Sequence, residues 1–200
     1  MKLFSARCLG ALISPKIVLS SFHCTIAKGE KTTCDHSDEK RLAVLGLHFY
    51  SLDDLQEYYT IPVVDVRHPN KARLTFNLES HDFAMLILKK PAIFSPKVCP
   101  ICLPHENANF DGLPAVSAGW GLTGTKYSPV LKMVNLLVSR KKYAHKYVFG
   151  TILYHDDGTY HDPCAGDSGM NFFQVTQSIL SHFIESYRAT KNVTSTAAAV

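Results

Sequence analysis

The sequence has no long apolar run and relatively few charged residues. None of its apolar stretches approaches the roughly 18 to 20 residues that a membrane-spanning helix requires. Charged residues make up only 19% of the 200 positions, whereas 46% are hydrophobic, which argues against a disordered chain. A chain of this size and composition is expected to fold as one globular unit, or as two small halves that share an interface.

A strong excess of one charge is also missing. The formal net charge is +4, and the basic runs Lys89–Lys90 and Arg140–Lys142 are short and far apart along the chain. Nucleic-acid-binding domains carry basic residues clustered on one face or along one helix. We therefore expect no nucleic-acid partner and, in the absence of a spanning segment, no membrane partner.

A recognisable secretory leader is not evident at the start of the sequence. The opening MKLFSARCLGALIS has a basic second residue, but Arg7 interrupts its apolar segment and no small-x-small cleavage site follows. The cysteine content nevertheless favours an oxidising compartment, because six cysteines form an even set at irregular spacing. We expect an extracellular protein, and the sequence leaves open the partners of Cys34, Cys99, Cys102 and Cys164.

Helical periodicity is absent from most of the chain. Short apolar runs rich in β-branched and aromatic residues alternate with turn signals. Eight of these runs are predicted as strands, at residues 9–14, 17–20, 41–47, 59–66, 83–89, 115–120, 130–138 and 148–154. In residues 175–189 apolar positions recur at helical spacing, and the final TSTAAAV is expected to fray. The pattern predicts an all-β sandwich or barrel followed by a C-terminal helix.

The residues around Ser168 are those that a nucleophilic serine needs. The motif GDSG, residues 166–169, places glycines on both sides, which permits a sharp turn that aims backbone N–H groups at one point. A serine alone is a weak nucleophile, so a base must accept its proton and a carboxylate must orient that base. His23 in SSFHC and Asp82 in HDFAMLIL, at the start of an apolar run, are the candidates for these two roles.

Five segments in sequence order resemble the chymotrypsin/trypsin family of serine proteases. They are CLGALISPKIVLSSFHC, HDFAMLIL, VCPICLP, SAGWG and DPCAGDSG, and they run from Cys8 to Gly169. The resemblance implies two antiparallel β-barrels with the active site in the cleft between them. In a single peptidase domain of residues 1–200, the barrels would cover residues 1–95 and 96–173, and a helix would cover residues 174–190.

The resemblance also assigns catalytic roles to individual residues. His23 would be the general base, Asp82 its orienting carboxylate and Ser168 the nucleophile. The backbone N–H groups of Gly166 and Ser168 would form the oxyanion hole. This chemistry implies no metal and no organic cofactor.

Further residues are matched to the specificity pocket and to a disulfide. Asp162, six residues before Ser168, corresponds to the base of the pocket, where a carboxylate would pair with a substrate Arg or Lys. Pro163 beside it is unusual and would reshape the pocket wall. A bridge between Cys8 and Cys24 would pin the histidine loop. The implied partners are protein or peptide substrates and protease inhibitors, and the implied state is a monomer.

Two departures from the family pattern bear on activity. The family is activated when a freed apolar N-terminus pairs with the aspartate before the serine, here Asp167, and no such segment precedes Cys8. Without that partner we expect the Asp167 carboxylate to turn into solvent and the oxyanion hole to stay unformed. The sequence after Gly169 also lacks the family's pocket-lining strands, so the second barrel is expected to be incomplete, with unpaired edges.

Three functional interpretations stay open. The first is a trypsin-like endopeptidase that cleaves after Arg or Lys, with little activity in this chain as it stands. The second is a non-catalytic homologue that acts as a binding or decoy module, and the third is a chain that does not fold stably. Separately, Cys99-x-x-Cys102 could bind zinc with Cys34 and His36, or act as a redox pair, although the second clean ligand pair usual in structural zinc sites is missing.

Overall fold

The described part of the chain is built almost entirely from β-strands. The computed structural model describes residues 8–25, 41–47, 59–68, 82–123, 125–139, 149–152, 167–169, 173–174 and 197–199. The strands in these residues are β1 Leu9–Ser14, β2 Ile17–Ser20, β3 Leu42–Leu45, β4 Tyr59–Arg67, β5 Ala84–Leu88, β6 Pro114–Gly119, β7 Leu122–Thr123, β8 Lys126–Tyr127, β9 Lys132–Ser139, β10 Phe149–Ile152, β11 Phe173–Gln174 and β12 Ala197–Ala199. All eight runs predicted from the sequence contain a strand.

The first sheet has six strands and closes into a barrel with the strand order β1-β12-β3-β4-β5-β2. Alternation along β5 shows which face lines the barrel interior, because Ala84, Leu86 and Leu88 are buried while the residues between them are half-buried. These three side chains join Leu12 and Val18 in the barrel core. Burial of such apolar side chains contributes about 1.5–3 kcal/mol for each large one.

The tail strand β12 differs from the sequence expectation. The closing residues TSTAAAV were expected to fray, but Ala197–Ala199 pairs with β1 on one side and through Ala199 with Val44 of β3 on the other. Antiparallel pairing uses backbone N–H and C=O groups, which every alanine supplies. A strand in this position closes the barrel and removes two sheet edges.

The second sheet is open and has the order β10-β9-β6-β11. Its longest pairing joins β6 to β9, from Pro114 opposite Leu137 to Gly119 opposite Lys132. β11 is only two residues long and pairs with β6 at the edge of the sheet. The prediction of an all-β, double-barrel fold is therefore confirmed, and the second sheet is open within the described residues, whereas the predicted C-terminal helix at 174–190 lies outside them.

The segment between the two sheets is anchored to the first barrel at several points. Ala92 and Val98 are buried in its core, and the N–H of Ile101 donates to the carbonyl of Leu12 over 2.8 Å. Helical structure among the described residues is limited to a 3₁₀ turn, Phe22–Thr25. Within these ranges the protein contains no helix that is long and apolar enough to cross a membrane.

Candidate active site

His23 lies on a short, well-anchored turn. It belongs to the 3₁₀ turn Phe22–Thr25, which begins two residues after β2 ends. Phe22 is buried in the barrel core, and the buried Thr25 hydroxyl donates to the Phe22 carbonyl over 2.7 Å. Core packing and this hydrogen bond therefore fix the residues around His23, while the His23 side chain itself stays about one third exposed (36%).

The register of two strands brings Asp82 beside His23. Ser20 at the end of β2 lies opposite Ala84 at the start of β5, so the residues beyond these two positions leave the barrel at the same end. There the backbone N–H of His23 donates to Asp82 Oδ1 over 2.9 Å, and His23 Nδ1 lies 2.8 Å from Asp82 Oδ2. Both carboxylate oxygens thus contact the histidine, which fixes the position and the rotation of its ring.

His23 and Asp82 shift each other's pKa values. The hydrogen bond that the His23 ring donates to Asp82 raises the pKa of His23 above its ordinary value, and the negative charge of Asp82 acts in the same direction, against the opposing effect of burial. Burial on its own would raise the pKa of Asp82, but hydrogen bonds from the His23 ring and backbone outweigh it, and the net shift is downward. The interaction therefore favours a protonated His23 beside an ionised Asp82.

These pKa shifts define the pH range in which the interaction between His23 and Asp82 stabilises the fold. Because the folded pKa of His23 is raised, its contribution is complete below the ordinary histidine pKa of about 6.5 and is lost as the pH rises through the folded value. Because the folded pKa of Asp82 is lowered, its contribution is complete above about pH 3.9 and is lost as the pH falls through the folded value. The full contribution is present between these two limits.

We expect the His23 ring to titrate above about pH 6.5 and the Asp82→Asn variant to titrate lower, because that change removes the hydrogen bond and the charge that raise the pKa. The measurement is the NMR titration of the histidine Cε1–H signals, with His23→Gln used to assign the resonance among the ten histidines. An unchanged midpoint in Asp82→Asn would contradict the pairing seen here.

Ser168 is tied to the histidine turn through two short links. The backbone N–H of Leu9 donates to the carbonyl oxygen of Ser168 over 2.7 Å. The residue before Leu9 is Cys8, which forms a disulfide with Cys24, the residue after His23. One hydrogen bond and one disulfide thus connect the serine loop to the histidine turn. The disulfide is the one that the resemblance implied between these two cysteines.

A glycine lets the chain turn directly after the serine. Gly169 has φ of +85°, in the left-handed region that side chains rarely adopt. A Cβ at this position would collide with the Leu9 carbonyl oxygen and would lie 2.6 Å from Ser20 Oγ. The serine loop can pack this closely on β1 only because residue 169 has no side chain.

The Asp167 carboxylate does not turn into solvent as expected. It is half-buried, and its Oδ1 accepts a hydrogen bond from the backbone N–H of Gly121 over 2.8 Å. Its oxygens fill the space that a Cβ would take at either Gly119 or Gly121. The physical reason is that two glycines flanking Trp120 leave a slot with a backbone N–H, which donates to the carboxylate.

A metal centre is not supported at this site. Cys8, His23 and Cys24 place ligand atoms within 4.8 Å of one another. The two sulfurs are already joined to each other, however, and metal binding requires the thiolate form. His23 Nε2 lies 3.6 Å from Cys24 Sγ, which is only a weak hydrogen-bond acceptor.

Several residues singled out in the sequence are not brought to the site. Cys99 and Cys102 are exposed free thiols, and no metal-ligand cluster includes them among the residues described. Asp162, Gly166, Cys34, Cys164 and His36 lie outside the described residues. The zinc alternative and the pocket and oxyanion assignments that involve them therefore remain predictions.

Sequence reasoning missed the residues that hold the serine loop. Leu9, Ser20, Gly119 and Gly121 all contact it or its carboxylate. The glycines on either side of the sole tryptophan, in SAGWG, were a signal of a close backbone approach. Nothing in the sequence marked Leu9 or Ser20, because each lies in an ordinary apolar strand pattern.

The sequence matches a known family model over most of its length. The model described as Trypsin matches residues 1–186. Among curated proteins, the chain is 29% identical over 180 residues to the proclotting enzyme of Tachypleus tridentatus, covering 82% of this chain and 46% of that protein. It is 27% identical over 172 residues to complement C1r-A subcomponent of Mus musculus, covering 80% of this chain and 24% of that one. The chain thus spans less than half the length of these relatives.

Solved structures agree on the fold. Human heparin binding protein superimposes with a TM-score of 0.66 at 22% identity, over 84% of this chain and 69% of that one. Neuropsin, a serine protease expressed in mouse brain, superimposes with a TM-score of 0.63 at 20% identity, over 84% of this chain and 76% of that one. At these identities the likeness concerns the arrangement of strands.

Proposed function

Because this chain belongs to the trypsin family of serine proteases, we propose that it is an endopeptidase that hydrolyses peptide bonds through Ser168, His23 and Asp82. The observation that carries the proposal is the position of His23: Asp82 holds its Nδ1 side, and the disulfide next to it leads through Leu9 to Ser168. Acyl transfer needs an oriented base and a serine on a tight turn, and the oriented histidine and the glycine turn after Ser168 support this assignment.

The reaction proceeds in two halves. Ser168 Oγ attacks the substrate carbonyl carbon while His23 Nε2 accepts the hydroxyl proton, and the backbone N–H groups of Gly166 and Ser168 hold the developing oxyanion. When the tetrahedral intermediate collapses, the C–N bond breaks and His23 returns the proton to the leaving amine. A water molecule, deprotonated by His23, then attacks the acyl carbon, the bond from that carbon to Ser168 Oγ breaks, and His23 returns the proton to Oγ. Asp82 stays ionised and stabilises the imidazolium that forms in each half.

The order of the serine loop supports catalysis over a purely binding role. The Asp167 carboxylate accepts the Gly121 N–H, which anchors the side chain of the residue that precedes Ser168. Preorganised donors at a site are worth far more than donors that must reorganise during the reaction. For this reason we favour an active protease over the nearly inactive chain expected from the sequence. A non-catalytic binding module is the alternative outcome of the labelling test below.

The test is labelling of the full chain with a fluorophosphonate, followed by mass mapping of the modified peptide. We expect phosphonylation at Ser168, with loss of fluoride, and no labelling in Ser168→Ala. Ser21→Ala, a serine next to the histidine turn, is the matched control and should label normally. A protein that unfolds cooperatively but stays unlabelled would favour the binding module, and the lack of any cooperative transition would favour a chain that does not fold stably.

The substrate class is proposed from Asp162. A carboxylate at the base of the pocket favours a substrate Arg or Lys before the cleaved bond, since a hydrogen bond to a charged group contributes about 1.5–3 kcal/mol. Asp162→Ser is therefore expected to lower kcat/KM for Arg peptides about 10- to 100-fold relative to Leu peptides. Peptide hydrolysis measures this ratio, and an unchanged ratio would remove Asp162 from the pocket.

The proposed setting of the protein follows from its chemistry. Disulfides persist in oxidising compartments, so the Cys8–Cys24 bridge supports an extracellular location. We propose protein substrates and protease inhibitors as partners of a monomeric chain.

A further inference from the structure

The side chain of Leu9 is buried away from the core of its own barrel. Leu9 is only 4% exposed, yet the core cluster of the first barrel, which includes Leu12 of the same strand, does not contain it. Instead, Leu9 Cδ1 lies 2.8 Å from the point where a Cβ would stand on Gly119, a residue of β6 in the second sheet. Leu9 therefore packs across the boundary between the two sheets.

The backbone of Leu9 also supports the serine loop. Its N–H donates to the Ser168 carbonyl over 2.7 Å, and its own carbonyl accepts the Ser20 hydroxyl over 2.6 Å. The carbonyl also lies directly against Gly169. The Leu9 peptide is thus a fixed surface on which the turn 168–169 rests.

The Leu9 side chain and the Asp167 carboxylate share one small space. Leu9 Cδ1 and Asp167 Oδ1 both crowd the side-chain position of Gly119. The carboxylate is held there by the Gly121 N–H, and Trp120 between the two glycines is 4% exposed. An apolar group covering such a hydrogen bond excludes water, which would otherwise compete for both partners.

We propose that Leu9 is a positioning residue for Ser168: its side chain closes the slot that holds Asp167, so the serine loop keeps the orientation set by the Gly121 N–H. The proposal rests on the proposed protease function for its effect on rate, but the packing itself does not depend on catalysis. Leu9 has no bond-making or proton-transfer role in the proposed mechanism. It acts through Asp167 and through the turn that follows Ser168.

The first experiment compares Leu9→Ala with Leu12→Ala by the second-order rate of Ser168 phosphonylation. Both changes remove the same atoms from buried positions of β1, but only Leu9 faces the serine loop. We expect Leu9→Ala to slow labelling about 100-fold, the cost of a displacement near 1 Å at a reacting group, and Leu12→Ala to leave the rate of the folded protein unchanged. Leu9→Met, which refills the space, should restore most of the rate.

The second experiment needs no activity and uses the only tryptophan of the chain as the reporter. In a Ser168→Ala background, acrylamide quenching of Trp120 fluorescence is expected to increase when Leu9 becomes alanine, because water and quencher reach the slot. It should stay unchanged when Leu12 becomes alanine. Equal quenching in the two variants would overturn the proposal, and so would equal phosphonylation rates. If the parent protein is not labelled at all, the proposed function fails, and the quenching result alone decides the role of Leu9.

Discussion

Replacing Asp82 with asparagine is expected to slow the phosphonylation of Ser168 about 10⁴-fold. The two oxygens of Asp82 contact different donors, since Oδ1 accepts the His23 backbone N–H and Oδ2 faces Nδ1. In the variant, the backbone N–H can be satisfied only by the amide oxygen, so the amide NH₂ group must face Nδ1. Nδ1 then has to accept a hydrogen bond from this amide group, and the ring proton moves to Nε2. A protonated Nε2 cannot accept the proton of Ser168.

The control for this prediction is another Asp→Asn change. Asp65 lies on β4 and pairs with Arg67 over 3.0 Å at the surface. Asp65→Asn loses one negative charge but no contact with the histidine, so labelling should proceed at the parent rate. Similar losses in both variants would mean that the effect follows from net charge or from stability, and the orienting role of Asp82 would then be wrong.

Alanine at position 169 is expected to displace the serine loop, with about a 100-fold loss in the labelling rate. The backbone there has φ of +85°, and the left-handed conformation costs a residue with a side chain about 1–2 kcal/mol. In addition, the new Cβ would collide with the carbonyl oxygen of Leu9, which belongs to a paired strand and cannot turn aside as a flexible side chain can. The loop must therefore move.

Gly112→Ala separates these two effects. Gly112 has φ of +74°, but no atom lies within 4 Å of the position that its Cβ would take. Both variants should unfold at a lower temperature than the parent, because both strain the backbone. Only Gly169→Ala should lose labelling as well. If the two variants label equally fast, the contact between Gly169 and β1 has no part in positioning the nucleophile.

The strands of the fold could be predicted from the sequence because their signal is local. Val, Ile, Leu and Phe in short runs bounded by turn residues suffice to mark a strand such as Ala84–Leu88. The pairing of Ala197–Ala199 with β1 could not be predicted, because it joins residues nearly 190 positions apart through backbone groups that carry no sequence signal.

The sequence sufficed to predict the residues of the candidate site, but not the contacts that hold them in place. The resemblance singled out His23, Asp82 and Ser168, and the first two are in contact. That contact depends on the register in which Ser20 pairs with Ala84, which a sequence does not state. The expected exposure of Asp167 was wrong for a related reason, since the donor that holds it is a backbone N–H on another strand connection.

The central claim is that one imidazole, one carboxylate and one hydroxyl act together although they are distant in sequence. The most direct test is a crystal structure of the full chain after reaction with a fluorophosphonate. The account predicts phosphorus bonded to Ser168 Oγ, with His23 Nε2 within about 3.2 Å of the Ser168 Oγ–phosphonate group and Asp82 still on the opposite side of the ring. Phosphorus on a different residue, or a His23 ring turned away from an intact Ser168 adduct, would contradict it.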